Sequence, residues 1–149
     1  MQKILNYIKI NELISTSGQP KIDEFEIIAQ EGFEVVINLA MYNASNAIEN
    51  ENKVVTDLNM SYFHIPVDFE NPTLSDLKLF LNVLQSLGAN KVWIHCAKNY
   101  RVSAFMYVYH KYILNTPFEN IDLSIFDIWS PSTKWQQLMK TPLEDLYKA

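Results

Sequence analysis

The chain has 149 residues and a mass of 17.3 kDa, a size that favours one domain spanning residues 1–149. Apolar residues make up 48% and charged residues 19%, a balance that supports a packed core and argues against disorder. The formal net charge of −5 argues against sequence-independent binding of nucleic acid, which needs a basic face.

The first half of the chain alternates short β-rich segments with helical patterns. Residues 13–16 predict a short strand that ends at the turn Ser17-Gly18-Gln19-Pro20. Residues 21–31 carry apolar side chains at helical spacing, and Gly32 is suited to end that helix. Three further elements are predicted: a buried strand over residues 33–39, a polar helix over 43–59 and a strand over 62–65.

The second half opens with the strongest helix signal. Thr73 is a suitable N-cap, and Asp76 completes a partial capping box with it. A strand is predicted over residues 91–95, an apolar helix over 102–114, and two or three short helices from Pro117 onward. This order predicts an α/β fold with a mainly parallel central sheet flanked by helices.

No targeting or membrane-spanning segment is evident in the sequence. The first ten residues contain no apolar stretch long enough for a signal peptide. No segment approaches the roughly 18 apolar residues that span a bilayer. A free cysteine in an unexported chain fits the reducing cytoplasm. We therefore expect a cytoplasmic protein that binds no membrane.

Cysteine and arginine each occur once, and they lie five positions apart. Cys96 is the single cysteine, and Arg101 is the single arginine beside eleven lysines. One cysteine excludes an internal disulfide framework, and no His, Cys or carboxylate group has the spacing of metal ligands. Cys96 follows a predicted strand, at the end where ligands bind in parallel sheets. We expect the functional site here, with no metal and no cofactor.

A loop that enters a helix from a strand is suited to binding phosphate. The backbone amides of such a loop point inward, and the helix N-terminus adds a positive partial charge. The same field favours the thiolate form of Cys96, and Arg101 can bind two phosphate oxygens with its planar guanidinium. A lone buried cysteine is more commonly a small apolar side chain, so its placement between strand and helix carries the prediction. The expected phosphate-binding residues are Ala97, Lys98, Asn99, Tyr100 and Arg101.

The order strand, His95-Cys96, loop, Arg101, helix resembles the cysteine-dependent protein tyrosine and dual-specificity phosphatases. More of the chain is similar to a bacterial phosphatase-like family with a short Cys-x4-Arg loop, some of whose members are fused to β-lactamase-like hydrolases. The segments that carry this resemblance are Ser17-Gly-Gln-Pro20, Val36-Ile-Asn-Leu39, His64-Ile-Pro-Val-Asp68, Pro72-Thr73 and His95-Cys96 to Arg101-Val-Ser103-Ala-Phe105.

The resemblance implies a phosphate-monoester hydrolase that acts through a phosphocysteine. The Cys96 thiolate would attack phosphorus, a carboxylic acid would protonate the leaving oxygen, and water would hydrolyse the phosphocysteine. Asp68, 28 positions before Cys96 (96 − 68), is the expected general acid, with Glu70 as the alternative and a merely solvated loop carboxylate as the third reading. The substrate would be a phosphorylated small molecule or a phosphoprotein.

Two neighbours of the loop are expected to support it. The resemblance implies that His95 fixes the loop by hydrogen bonding and tunes the thiolate, which is compatible with a satisfied core histidine. Ser103 either donates a hydrogen bond to Cys96 or packs as a small residue. Asn99 can adopt the left-handed backbone conformation that a loop without glycine needs.

The spacing of Cys96 and Arg101 leaves two other functions open. Tyrosine phosphatases place five residues between these two positions, whereas this chain has four, which also suits a rhodanese-like sulfurtransferase with a persulfide on Cys96. The hydroxyl residue that phosphatases place directly after the arginine is replaced by Val102. That departure, with the loop's lack of glycine, allows a non-catalytic phosphate-binding module. The sequence does not specify the oligomeric state.

Overall fold

The strands form one mixed sheet, as seen in a computed structural model that describes residues 3–147. They are β1 (Ile8–Lys9), β2 (Ile14–Ser17), β3 (Val35–Asn38), β4 (Ser61–His64) and β5 (Val92–His95). Their order across the sheet is β1-β2-β5-β3-β4. β1 pairs antiparallel with β2, and the other three pairs are parallel. The predicted α/β fold with a mainly parallel sheet is confirmed, with β1 as an edge strand that the sequence patterns missed.

The two faces of the sheet are covered by different helices. The helices are α1 (Ile22–Gln30), α2 (Glu51–Asp57), α3 (Leu74–Ser86), α4 (Tyr100–Tyr109), α5 (Thr133–Met139) and α6 (Leu143–Leu146). Successive residues of a strand point to opposite faces, so Val36 and Trp93 pack with α1 and α2, whereas Ile37 and Ile94 pack with α3, α4 and α5. A π-helical segment (His110–Leu114) continues α4, and short 3₁₀ turns cover Phe118–Asn120 and Ser124–Asp127.

Local capping chemistry explains where α3 begins. The Thr73 hydroxyl accepts a hydrogen bond from the Asp76 amide at 3.1 Å, and the Asp76 carboxylate accepts one from the Thr73 amide at 3.2 Å. This capping box satisfies two amides that have no partner inside the helix. The predicted N-cap and its partner are confirmed.

The polar helix predicted over residues 43–59 is wrong in extent. Only Glu51–Asp57 is helical, and residues 41–50 form a series of turns before it. Asparagine and serine side chains compete with helical hydrogen bonds, and this segment holds several of them. Asn50 enters the helix in the left-handed conformation, at φ 57°. The segment 41–50 is therefore a loop, and it reaches the carboxyl end of β5.

Candidate active site

The segment that joins β5 to α4 turns sharply at Asn99. This residue is fully buried and has φ 67°, the left-handed conformation expected of it. Its side-chain amide donates hydrogen bonds to Asn6 O at 2.9 Å and to Thr16 Oγ1 at 3.0 Å. Asn99 thus fixes the turn that lets α4 begin at Tyr100, four residues after Cys96.

The carbonyl groups of this loop are held on its outer side. Ala97 O accepts hydrogen bonds from Gln19 N at 3.0 Å and Asn46 Nδ2 at 2.9 Å. Lys98 O accepts one from Asn6 Nδ2 at 3.0 Å. Within the described range 3–147, the backbone amides of residues 97–101 donate to no protein acceptor. A loop whose carbonyl groups point outward and whose backbone amides have no other acceptor is suited to bind an anion.

Cys96, Arg101 and Asp68 share one cavity of about 390 Å³. Cys96 is 1% exposed and lies at the base of the helix N-terminus. The other residues that line the cavity are Met41, Asn43, Ala44, Phe69, Ala97, Lys98 and Tyr100. The structure therefore brings together the three residues predicted for the chemistry and four of the five predicted for phosphate binding, Asn99 being absent from the lining.

Arg101 lies beside Cys96 with part of its guanidinium uncommitted. Its Nη1 donates to Val67 O at 2.9 Å, and its Cζ lies 5.6 Å from the centre of the Phe69 ring. The side chain is 7% exposed, and its Nε, buried, has no hydrogen-bond partner among the residues that the structure describes. A guanidinium carries five N–H groups and a buried one demands acceptors, so Arg101 is set to bind an anionic oxygen.

Of the two candidate acids, Asp68 is the one that faces the cavity. It follows β4 on an exposed loop, and its Oδ1 accepts a hydrogen bond from Glu70 N at 3.0 Å. Glu70 is exposed and does not line the cavity. The geometry favours Asp68 over Glu70 as a proton donor at this site.

An aromatic cluster supports the wall of the cavity next to Arg101. Tyr100 and Phe69 line the wall, and Trp129 stacks on Tyr100 with ring centres 5.1 Å apart. Trp135 is buried and donates its indole N–H to Phe69 O at 2.8 Å. Trp129 and Trp135 pack behind these two residues and do not line the cavity.

His95 is tied to a buried carboxylate that the sequence analysis missed. Its Nε2 lies 2.7 Å from Glu51 Oε2, and its Nδ1 lies 3.2 Å from Cys96 O. Burial by itself would raise the pKa of Glu51, but the charge of His95 and hydrogen bonds from His95, Gln19 and Tyr62 outweigh it and lower that pKa. Glu51 gives no local signal, because it lies 44 positions from His95 within a segment of polar residues.

Ser103 supports the loop through Asn99 instead of through Cys96. Its hydroxyl donates to Asn99 Oδ1 at 3.3 Å, one helical turn away. The alternative of a hydrogen bond to Cys96 is therefore not the one that the structure forms. His64, at the end of β4, lies with its Nε2 2.6 Å from Ala40 O, outside the cavity.

Within the part of the chain that the structure describes, neither a metal-binding group nor a membrane-spanning helix is present. Across residues 3–147, no three His, Cys, Asp or Glu side chains are grouped so that they could hold a metal ion. In the same range, no helix has the length and apolar character needed to cross a bilayer.

Comparisons with known proteins point to phosphatases. Residues 9–129 match a family model described as a DSP-PTPase phosphatase fused to NAD+ kinase. A solved DUF442 protein from Shewanella putrefaciens is 32% identical, with a TM-score of 0.86 over 93% of this chain and 91% of that chain. None of the curated proteins compared with the chain matches it.

Two more distant solved structures share the fold. TpbA from P. aeruginosa is 12% identical, with a TM-score of 0.74 over 95% of this chain and 88% of that chain. The core catalytic domain of the PP-IP phosphatase SIW14 from S. cerevisiae is 14% identical, with a TM-score of 0.73 over 96% and 89%.

Proposed function

The chain belongs to the DSP-PTPase phosphatase family whose model covers residues 9–129, and on that premise we propose that it hydrolyses phosphate monoesters through a phosphocysteine on Cys96. The observation that carries the proposal is the shared cavity. Cys96 and Arg101 both line it at a helix N-terminus, where, among residues 3–147, the loop amides and Arg101 Nε have no acceptor.

The first chemical step transfers the phosphoryl group to sulfur. The amides of residues 97–101 and the guanidinium of Arg101 hold the non-bridging oxygens, where charge is greatest in the transition state. The Cys96 thiolate forms the S–P bond as the P–O bond to the leaving group breaks. Protonated Asp68 gives its proton to that leaving oxygen, so the product departs as a neutral alcohol or phenol.

The second step returns the enzyme to its starting state. Asp68, now a carboxylate, accepts a proton from water as that water attacks phosphorus. The S–P bond breaks, inorganic phosphate leaves and the Cys96 thiolate is restored. The substrate class is a phosphorylated small molecule or a phosphoprotein, and no cofactor takes part in either step.

Cys96→Ser tests the proposal, because serine keeps the shape of the site and is a far weaker nucleophile at neutral pH. We expect turnover of p-nitrophenyl phosphate to be abolished while inorganic phosphate, followed by calorimetry, still binds. Undiminished turnover in this variant would overturn the proposal. Arg101→Lys is the matched variant for binding, since lysine keeps the charge and loses the planar fork, and it should weaken phosphate binding about tenfold.

A rhodanese-like sulfurtransferase is the second candidate function, because four residues separate Cys96 from Arg101. Intact-mass analysis after incubation with thiosulfate separates the two reactions. The gain of one sulfur atom on Cys96 would favour the sulfurtransferase. In the binding and turnover measurements, tight phosphate binding without turnover of any ester would favour a non-catalytic phosphate-binding module. Three expectations from the sequence stay predictions. They are a single phosphatase-like domain over residues 1–149, a cytoplasmic location, and relatives fused to β-lactamase-like hydrolases.

A further inference from the structure

A buried ion pair lies directly behind the nucleophile. Glu51, the first residue of α2, is 6% exposed, and His95, the last residue of β5, is fully buried. Their side chains meet at 2.7 Å, and neither lines the cavity that holds Cys96. The pair therefore contacts the backbone of Cys96, through His95, but does not line the cavity in which substrate would bind.

Both ring nitrogens of His95 lie against hydrogen-bond acceptors. Nε2 faces the Glu51 carboxylate, and Nδ1 faces the carbonyl oxygen of Cys96 at 3.2 Å. A carboxylate and a backbone carbonyl both accept hydrogen bonds, so each ring nitrogen is placed to donate one. The ring therefore lies between the Glu51 carboxylate and the backbone of Cys96.

The remaining contacts of Glu51 keep its carboxylate ionised. Gln19 Nε2 donates to Oε1 at 2.6 Å. The Tyr62 hydroxyl accepts a hydrogen bond from Asn38 Nδ2 at 3.0 Å, which leaves its own O–H to donate to Glu51. Three donors thus converge on one carboxylate, an arrangement that favours its charged form.

We propose that Glu51 is a positioning residue for the nucleophile: it holds His95 as an imidazolium against the Cys96 backbone, and thereby sets how much of Cys96 is thiolate. The proposal rests on the proposed role of Cys96. Without the carboxylate, a fully buried imidazolium has no counter-ion, which is costly enough that His95 gives up its proton. The thiolate then loses a neighbouring positive charge.

Ionisable groups contact this pair from two sides. Tyr62 faces Glu51 from β4, and Cys96 itself follows His95. From α1 the pair meets the ring of Phe25, whose centre lies 6.0 Å from that of His95, and from the turn after β2 it meets the amide of Gln19. Asp68, Lys98 and Arg101 line the cavity of Cys96 and are unchanged in a Glu51 variant, so a change in the titration of Cys96 on removing Glu51 is assigned to the loss of the His95 charge.

The experiment measures the rate of Cys96 alkylation by iodoacetamide as a function of pH, in the full chain. Because the chain has one cysteine, intact mass counts alkylation at that residue alone. In Glu51→Gln the pH midpoint should rise by about one unit, and Glu51→Asp, which restores the charge, should recover most of the shift. Glu49→Gln removes an exposed carboxylate from the same segment and should leave the midpoint unchanged.

A second measurement does not depend on any variant folding. In the ¹⁵N-labelled wild-type protein, both ring nitrogens of His95 should be protonated at pH 7 by their chemical shifts. A neutral ring, or a midpoint in Glu51→Gln equal to that in Glu49→Gln, would overturn the proposal. Failure of the enzyme to hydrolyse phosphate esters, with the alkylation shift present, would overturn the proposed function and leave this inference standing.

Discussion

Replacing Gly18 with alanine should displace the Cys96 loop while leaving every side chain that lines the cavity unchanged. A Cβ at residue 18 would lie 2.8 Å from Ala97 O and 2.9 Å from Leu5 Cδ2. The Leu5 side chain can rotate away. Ala97 O belongs to the backbone of the loop and already accepts two hydrogen bonds, so relief of that clash has to move the loop.

The size of the clash sets the expected effect. Ordinary van der Waals contact of a Cβ begins at 3.4 Å, so the loop has to move by about 0.6 Å (3.4 − 2.8). Overpacking of this kind costs about 1–3 kcal/mol in the free energy of unfolding. A displacement of about 1 Å at a reacting group lowers rates roughly a hundredfold, so we expect kcat/KM to fall roughly ten- to thirtyfold.

The assay is kcat/KM for p-nitrophenyl phosphate, together with urea unfolding of the same samples. Gly32→Ala is the matched control, because Gly32 has φ 91° and an added Cβ there meets nothing within 4 Å. That variant should lose about 1–2 kcal/mol of stability through backbone strain and keep its kcat/KM. Wild-type activity in Gly18→Ala, or an equal loss of activity in both variants, would refute the argument.

Three other predictions test the acid, the buried carboxylate and the helix cap. Asp68→Asn should lower kcat for phenyl phosphate by about 10²-fold or more, whereas Glu70→Gln should not, and equal losses would contradict the assignment of the acid. The folded state lowers the pKa of Glu51 from 4.5, so the ionised carboxylate adds stability above that pH, and this contribution is lost as the pH falls through the folded-state pKa. Glu51→Gln should therefore flatten the decline in the free energy of unfolding between about pH 5 and pH 3. An unchanged slope would contradict this expectation. Thr73→Ala should cost about 1 kcal/mol in urea unfolding at unchanged kcat/KM, and any selective loss of activity would count against a purely structural cap.

Features that depend on neighbours in sequence could be predicted. The capping box at Thr73 involves residues three positions apart, and the left-handed turn at Asn99 follows from the residue type itself. The alternation of strands and helices placed Cys96 at the carboxyl end of a parallel strand, and the structure places it there. The local order of the chain was enough to locate the cavity.

Features that depend on distant partners could not be predicted. Glu51 has no distinguishing pattern in the local sequence, because its partner His95 lies 44 positions away, on β5. The antiparallel pairing of β1 covers two residues, too few for an alternating pattern to show. The helix predicted over residues 43–59 begins only at Glu51, and the segment before it holds Asn46, whose contact with the Ala97 carbonyl has no trace in the local sequence.

The outer side of the Cys96 loop also constrains how the protein folds. Lys98 O and Ala97 O accept side-chain hydrogen bonds from Asn6 and Asn46, which are 92 and 51 positions away in the chain. Contacts of such high sequence separation form late, because the intervening chain has to be ordered first. A short peptide spanning Cys96 to Arg101 should therefore not adopt the anion-binding shape. The loop acquires it only when the segments that carry Asn6 and Asn46 are in place, and phosphate binding during refolding reports the completion of the fold.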